Sequence, residues 1–319
     1  MESRTILVAL GAVVGVACGG VVTSYGVEAS APVATRLVPE KLASQQVARD
    51  IEVAEPIALG SEPDAASQEQ ALEPREPEPR EEEASECAPP EEPIDVLFIG
   101  NSYTNMHDLP ALVEALGEQA GVPLHAEKLA VGGKNFEYHL ARSKTAAVLE
   151  EGDWDVVVLQ SHSLDPLRNP DGFFEAGEEL VEMVEASGAE PLLFETWARK
   201  RGHNLYNYFK PTGGSPEEMQ ARVSESYSTL AERTGAKVIE VGRAWRALRT
   251  QAPQLDPYAS DSAHPGKLGA YLTANVFFAA LTDVSPVGKV EPLLDIDPKD
   301  AALIQRQAAA VIQPRCGTL

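Results

Sequence analysis

IDVLFIGNSYT, residues Ile94–Thr104, is the stretch on which the fold turns. Ile94–Ile99 is a short apolar run rich in β-branched residues, the composition of a strand buried on both faces. It stops at Gly100-Asn101-Ser102, a turn-forming cluster, and a helical pattern follows over Leu109–Gln119, with Asp108 as its N-cap and Pro110 in its first turn. A serine on the turn after a buried parallel strand stands where open α/β sheets place their ligands.

Working outward, the same alternation continues. Leu124–Val131 reads as a second strand, polar enough to lie near an edge, and Gly132-Gly133 follows it. Phe136–Glu150 breaks into short helical pieces. Trp154–Gln160 (WDVVVLQ), Pro191–Glu195 and Lys237–Val241 read as the third, fourth and fifth strands. Helices are expected over Phe173–Ala186, Pro216–Thr234, Arg243–Arg249, Pro265–Leu281 and Asp300–Ile312. Strands alternating with helices at this spacing predict a five-stranded parallel sheet covered on both faces, a three-layer α/β/α sandwich.

The residues before this region have a different character. Thr5–Thr23 is uncharged and follows Arg4. It reads as a signal-peptide core or a membrane anchor, with the remainder of the chain exported. Ala29-Ser30-Ala31 resembles a cleavage site and Gly15-Val16-Ala17-Cys18 a lipoprotein box, and neither decides the processing route. Between Asp50 and Pro93 there are fifteen acidic residues against Arg75 and Arg80, a net charge of −13 in a chain of −23. With many prolines and no aromatic residue, such a segment is expected to stay disordered. The organisation is then an apolar leader or anchor (1–31), a Pro/Glu-rich linker (32–93) with a reach on the order of 45 Å, and one folded domain (94–319). The acidic balance argues against nucleic acid as a partner. Cys87 and Cys316 flank the domain, and in an oxidising compartment a disulfide between them would clip its two ends together.

Chemistry is suggested by two short constellations. Ser102 lacks the second glycine of a G-x-S-x-G elbow, and neither a Rossmann fingerprint nor a P-loop is present. Near the other end of the domain stands Asp261-Ser262-Ala263-His264-Pro265. Pro265 disfavours helical geometry at His264, so the histidine belongs to the loop before the long helix, with Pro265 suited to the first helical position. A carboxylate three residues earlier in that loop can turn back onto the imidazole, the arrangement a serine nucleophile requires. Capping and turn roles for Asp261 and Ser262 are the competing reading. No H-E-x-x-H or paired-cysteine spacing occurs, so no metal is expected.

Gly-Asn-Ser after the first strand, Gly132-Gly133 after the second and Asp-x-x-His before the last long helix resemble, in this order, the SGNH (GDSL-like) hydrolase superfamily, in particular a bacterial branch with a GNS-type first block. The likeness spans Ile94 to about Leu281. It implies a flavodoxin-like three-layer fold and a serine hydrolase acting on esters, without metal or organic cofactor. It also implies roles: Ser102 as nucleophile, His264 as base, Asp261 as its orienter, and the N–H groups of Ser102 and Gly133 as oxyanion donors. One block departs from the pattern. Where the family supplies an asparagine from a G-x-N-D loop, this chain has Leu159-Gln160-Ser161-His162-Ser163. Gln160, with the same amide chemistry, is the expected substitute, with Ser161 and His162 as alternatives. Asn101, His107, His162 and Trp197 are expected to line the substrate pocket, with ordinary packing the competing reading for Trp197, and Arg199-Lys200-Arg201 forms a basic patch that is either a solvated loop or able to meet an anionic substrate. The functional expectation is an exported, periplasmic or cell-surface serine esterase, tethered to the membrane through its N-terminal segment if that is retained or lipidated. Its substrate would be a small-molecule or carbohydrate ester, for instance an O-acetyl sugar. A glycan-binding protein on a degenerate scaffold and an O-acyltransferase using the same three residues are the alternatives.

Overall fold

The computed structural model describes residues 92–314. The leader, nearly all of the linker, and both Cys87 and Cys316 of the expected disulfide lie outside the described residues.

Five parallel strands form one sheet: β1 (Ile94–Gly100), β2 (Leu124–Ala130), β3 (Val156–Leu159), β4 (Glu190–Phe194) and β5 (Lys237–Ile239). Their spatial order is β2-β1-β3-β4-β5. The chain therefore moves outward from β1 in opposite directions, and the crevice where the order reverses lies between the carboxyl ends of β1 and β3. Ile99 is in register with Leu159 there, which brings Ser102 and the residues after β3 together. β2 is an edge strand and half exposed, as its polarity predicts.

Alternation along β1 divides the interior into two cores. Val96 and Phe98 face one side, packed with residues of α2 (Leu109–Ala120), α9 (Val241–Gln251), α10 (Lys267–Thr282) and α11 (Pro298–Ile312). Leu97 and Ile99 face the other side. There they meet α3 (Phe136–Leu140), α4 (Ser143–Glu151), α6 (Pro170–Ala186) and α8 (Pro216–Thr234). Short helices α1 (Ser102–Asn105), α5 (Asp165–Arg168) and α7 (Leu205–Tyr208) sit in the loops, and none of the three was evident from the spacing of apolar residues. A strand buried on both faces needs layers on both sides, and the continuous apolar run of β1 is what demands them.

Two local expectations are corrected. Asp108 occupies the N-cap position of α2, but its carboxylate makes no capping bond and instead accepts from Lys128 Nζ at 2.6 Å. The long helix α10 begins at Lys267 rather than Pro265, because Pro265 is bridged to Tyr258 and Gly266 holds the cap position.

Candidate active site

The loop that carries His264 is shaped by its own turn and by two buried aromatic residues beneath it. Ser262 adopts a left-handed conformation (φ 61°), and its N–H donates to Ala259 O at 3.0 Å. That turn folds Asp261 back over its own loop, where Oδ1 accepts from the N–H groups of Ala263 (3.0 Å) and His264 (2.9 Å). Ala263 O is held from below by two buried aromatic residues, Tyr103 Oη–H and Trp197 Nε1–H, each donating at 2.9 Å. Tyr103 is the residue next to Ser102, so one side chain ties the serine turn to the histidine loop.

With the loop fixed, His264 Nδ1 lies 2.5 Å from Asp261 Oδ2, and Ser102 Oγ lies 2.8 Å from His264 Nε2. The carboxylate partner sets the tautomer: Nδ1–H donates to Asp261, which leaves Nε2 to accept from the Ser102 hydroxyl. Burial alone would raise the pKa of Asp261, but hydrogen bonds from the His264 ring and from the His264 and Ala263 N–H groups prevail and hold it down at about 2. Asp261 is thus an anion at any working pH. Ser102 and His264 are half-buried and Asp261 is exposed, so the row opens to solvent.

Asn101 N-caps α1 through its Oδ1, which accepts from Tyr103 N–H at 3.1 Å. The Ser102 N–H, first in the helix, donates to no group among the described residues, and neither does the N–H of Gly133. Gly133 has φ 70°, a region that costs an L side chain energy, while the space beside it is open. Both free N–H groups belong to segments tied together by Asn101, whose Nδ2 donates to Lys134 O at 2.8 Å and to Ser161 O at 3.3 Å.

The expected roles of several other residues are not met. Gln160 is wholly buried and turned inward. Its Oε1 accepts from Asn101 N–H (3.0 Å) and Thr104 Oγ1 (3.0 Å), and its Nε2 donates to Ser161 O. The amide is consumed inside the turn and does not reach solvent as an oxyanion donor. Gly100 makes the room: a Cβ there would stand 2.4 Å from Thr104 Oγ1 and 2.7 Å from Gln160 Oε1. Asn101 and Trp197 are likewise corrected from pocket lining to support. Asn101 is 2% exposed, and Trp197 stacks between Trp245 (3.8 Å between ring centres) and Tyr103 (4.5 Å) with no exposed surface. His107 sits in the left-handed turn between α1 and α2, and no hydrogen bond or ring contact joins it to the row among the described residues. Ser161 Oγ, the other alternative, donates to Asp165 Oδ2 at 2.6 Å.

His162 remains beside the row. It is half-exposed, and burial first, then Arg168 and His264, push its imidazole toward the neutral form. Leu164 N–H donates to its Nδ1 at 3.2 Å, so the neutral ring carries its proton on Nε2. Arg199 went unread as a site residue in its own right. It is buried, donates from Nη2 to Ser163 Oγ at 2.9 Å, and its guanidinium carbon lies 5.7 Å from the Tyr103 ring centre. Asp165, also missed, gathers Ser161 Oγ and Asn135 Nδ2, and burial outweighs those bonds to raise its pKa. Both are tertiary placements with no local pattern to announce them.

Comparison with solved structures places the fold in company. A candidate SGNH hydrolase from Slackia heliotrinireducens is 27% identical to this chain, which it covers over 60% and which covers all of it, with a TM-score of 0.50. A DUF4886 family protein from Bacteroides uniformis shares the fold at a TM-score of 0.60 and 20% identity, over 72% of this chain and 98% of that one. No protein-family model and no curated protein matches the sequence. The resemblance read from the ordered motifs is upheld at the level of fold and of the first of these matches.

Proposed function

We propose that this chain, similar in sequence and fold to the SGNH hydrolases, is a serine ester hydrolase working through Ser102, His264 and Asp261. The observation that carries the reading is the unbroken line Ser102 Oγ–His264 Nε2–His264 Nδ1–Asp261 Oδ2, with contacts of 2.8 and 2.5 Å.

Ser102 Oγ attacks the acyl carbon while its proton passes to His264 Nε2. The carbonyl oxygen gains the negative charge, which the N–H groups of Ser102 and Gly133 receive. Asp261 stabilises the imidazolium and keeps its orientation. His264 then returns the proton to the leaving alcohol, forming an acyl-Ser102 intermediate. Water attacks that intermediate by the same path in reverse, releasing the acid. We further assign the activity to the outside of the cytoplasm and to acyl esters of carbohydrate, the first resting on the apolar segment Thr5–Thr23. The exposed Asp261 and half-buried Ser102 support a substrate larger than the scissile group, since an open row admits a polymer from the side.

The test is hydrolysis of p-nitrophenyl acetate by the full chain and by Ser102→Ala. The reading predicts that the variant loses activity by about 10³-fold or more while remaining folded. Equal rates would remove the case for Ser102 as nucleophile.

A further inference from the structure

The basic triplet Arg199-Lys200-Arg201 does not act as one patch. Arg199 turns inward beside Tyr103. Lys200 and Arg201 turn outward, into a groove of about 550 Å³ whose lining also includes Arg246 and Arg249 of α9. That volume falls within the range of ligand sites, roughly 300–1,000 Å³.

The groove's charges do not cancel. It contains four cations and two carboxylates, in a chain whose net charge is −23. Each carboxylate is already engaged: Asp256 holds Lys200 at 2.6 Å and Glu217 holds Arg201 at 2.7 Å. Arg246 and Arg249 make no ion pair among the described residues. They are three residues apart on α9, hence on one face of the helix. Arg246 is exposed and Arg249 half-buried, and Arg249 Nε is buried without a hydrogen-bond partner. Both guanidinium groups belong to residues that line the groove, where an anion would accept from their donors.

The walls of this groove continue into the proposed catalytic loop. Lys200 N–H donates to Ser262 O at 3.0 Å. Tyr258, another lining residue, is bridged to Pro265, and the next N–H along, that of Ala259, donates to His264 O at 2.8 Å. Whatever occupies the groove therefore lies against the segments that carry Asp261 and His264.

We propose that the groove is a subsite for carboxylate or phosphate groups spaced along the substrate, so that the ester cleaved at Ser102 is borne by a polyanion. This deepens the esterase reading and rests on it for the word substrate; the anion site itself does not. A net surplus of two guanidinium groups selects anions by charge, and their planar donors match carboxylate and phosphate oxygens in pairs. The apolar walls of Leu255, Pro257 and Tyr258 would receive the carbon skeleton between charges.

The test measures retention of the full chain in affinity gels containing polygalacturonate, polyphosphate or neutral dextran. It compares wild type with Arg246→Gln, Arg246→Gln/Arg249→Gln and, on the same helix outside the groove, Arg243→Gln. Retention by at least one polyanion and not by dextran is expected. Affinity should weaken about tenfold in the double variant and less in Arg246→Gln, an exposed position, with no change in Arg243→Gln. Displacement by inorganic phosphate should need far more anion than displacement by free polymer; equal potency would make the ligand a free small anion and overturn the polymer assignment. Wild type retained no better by polyanions than by dextran, or all variants retained alike, would overturn the site.

A second arm compares kcat/KM on O-acetylated polygalacturonate with that on p-nitrophenyl acetate, and the ratio should fall about tenfold in the double variant. An unchanged ratio would overturn the link to the substrate. If both esters were hydrolysed equally by Ser102→Ala, the esterase reading would fail while the gel result still judged the groove.

Discussion

Two sets of polar side chains meet at the carboxyl end of β1, and they obey opposite rules. Ser102, His264 and Asp261 are joined to one another and open to solvent. Asn101, Thr104, Gln160, Ser161 and Asp165 are buried, and every one of them is bonded to a protein group. Asn101 and Ser102 are neighbours in sequence yet fall into different sets. The amide is consumed in holding the Gly133 and Ser161 loops, and the hydroxyl meets His264 at the solvent-facing rim. On the proposed esterase reading the inner set fixes geometry and the outer set does chemistry, so loss of the first should appear in stability and loss of the second in rate.

The widest separation between the two is expected at Asp261. Asp261→Asn removes the charge that supports the imidazolium and changes which proton the ring carries, so kcat should drop by about 10⁴-fold. The fold, judged by circular dichroism, should be unchanged, because Asp261 lies exposed at the rim. A small drop in rate would place the orienting carboxylate elsewhere.

Gln160→Ala should act in the opposite sense. It strands the Asn101 N–H and the Thr104 hydroxyl and empties a fully buried volume, at a cost of about 2–4 kcal/mol in chemical denaturation. Turnover per folded molecule should stay within about tenfold of wild type. A loss near 10³-fold with unaltered stability would return Gln160 to the oxyanion role and dissolve the distinction between the two sets.

A gentler test uses Glu195, a buried carboxyl just beyond β4 that belongs to neither set. Burial, reinforced by Glu240, raises its pKa to about 7 against the bonds from Ser224 and Gln220. Below pH 4.5, the ordinary value, the group is neutral in folded and unfolded chains alike. Between 4.5 and about 7 only the folded chain retains the proton, so this contribution to stability is lost as pH rises through that window. The loss at pH 8 should be about 3 kcal/mol. Glu195→Gln, which imitates the protonated acid, should match wild type at pH 4.5 and show the higher melting temperature at pH 8. Equal melting curves at pH 8 would show that Glu195 ionises freely.

The strands, their parallel direction and the serine turn were legible because each rests on local pattern: apolar runs of strand length, glycine punctuation and helical spacing between them. The Asp-x-x-His loop was legible because Pro265 excludes helix at the histidine, even though α10 starts two residues later than that proline suggests. Gln160 misled for a physical reason. Its chemistry suits an oxyanion donor, but its direction is set by Gly100, whose missing side chain leaves the space that the amide fills. In the sequence Gly100 reads only as a turn residue. Trp197 misled similarly, since its partners Tyr103 and Trp245 lie 94 residues before it and 48 after it, and only the fold assembles the stack. Arg199 and Asp165 belong to the same class of long-range placement.

Ser102 is tested most directly as the nucleophile by reaction of the full chain with a p-nitrophenyl alkylphosphonate, followed by peptide mass spectrometry. One equivalent of p-nitrophenol should be released and the phosphonyl group should be found on Ser102, with labelling suppressed in His264→Ala because the hydroxyl has lost its base. Labelling that persists in Ser102→Ala, or that falls on Ser161 or Ser163, would contradict that assignment.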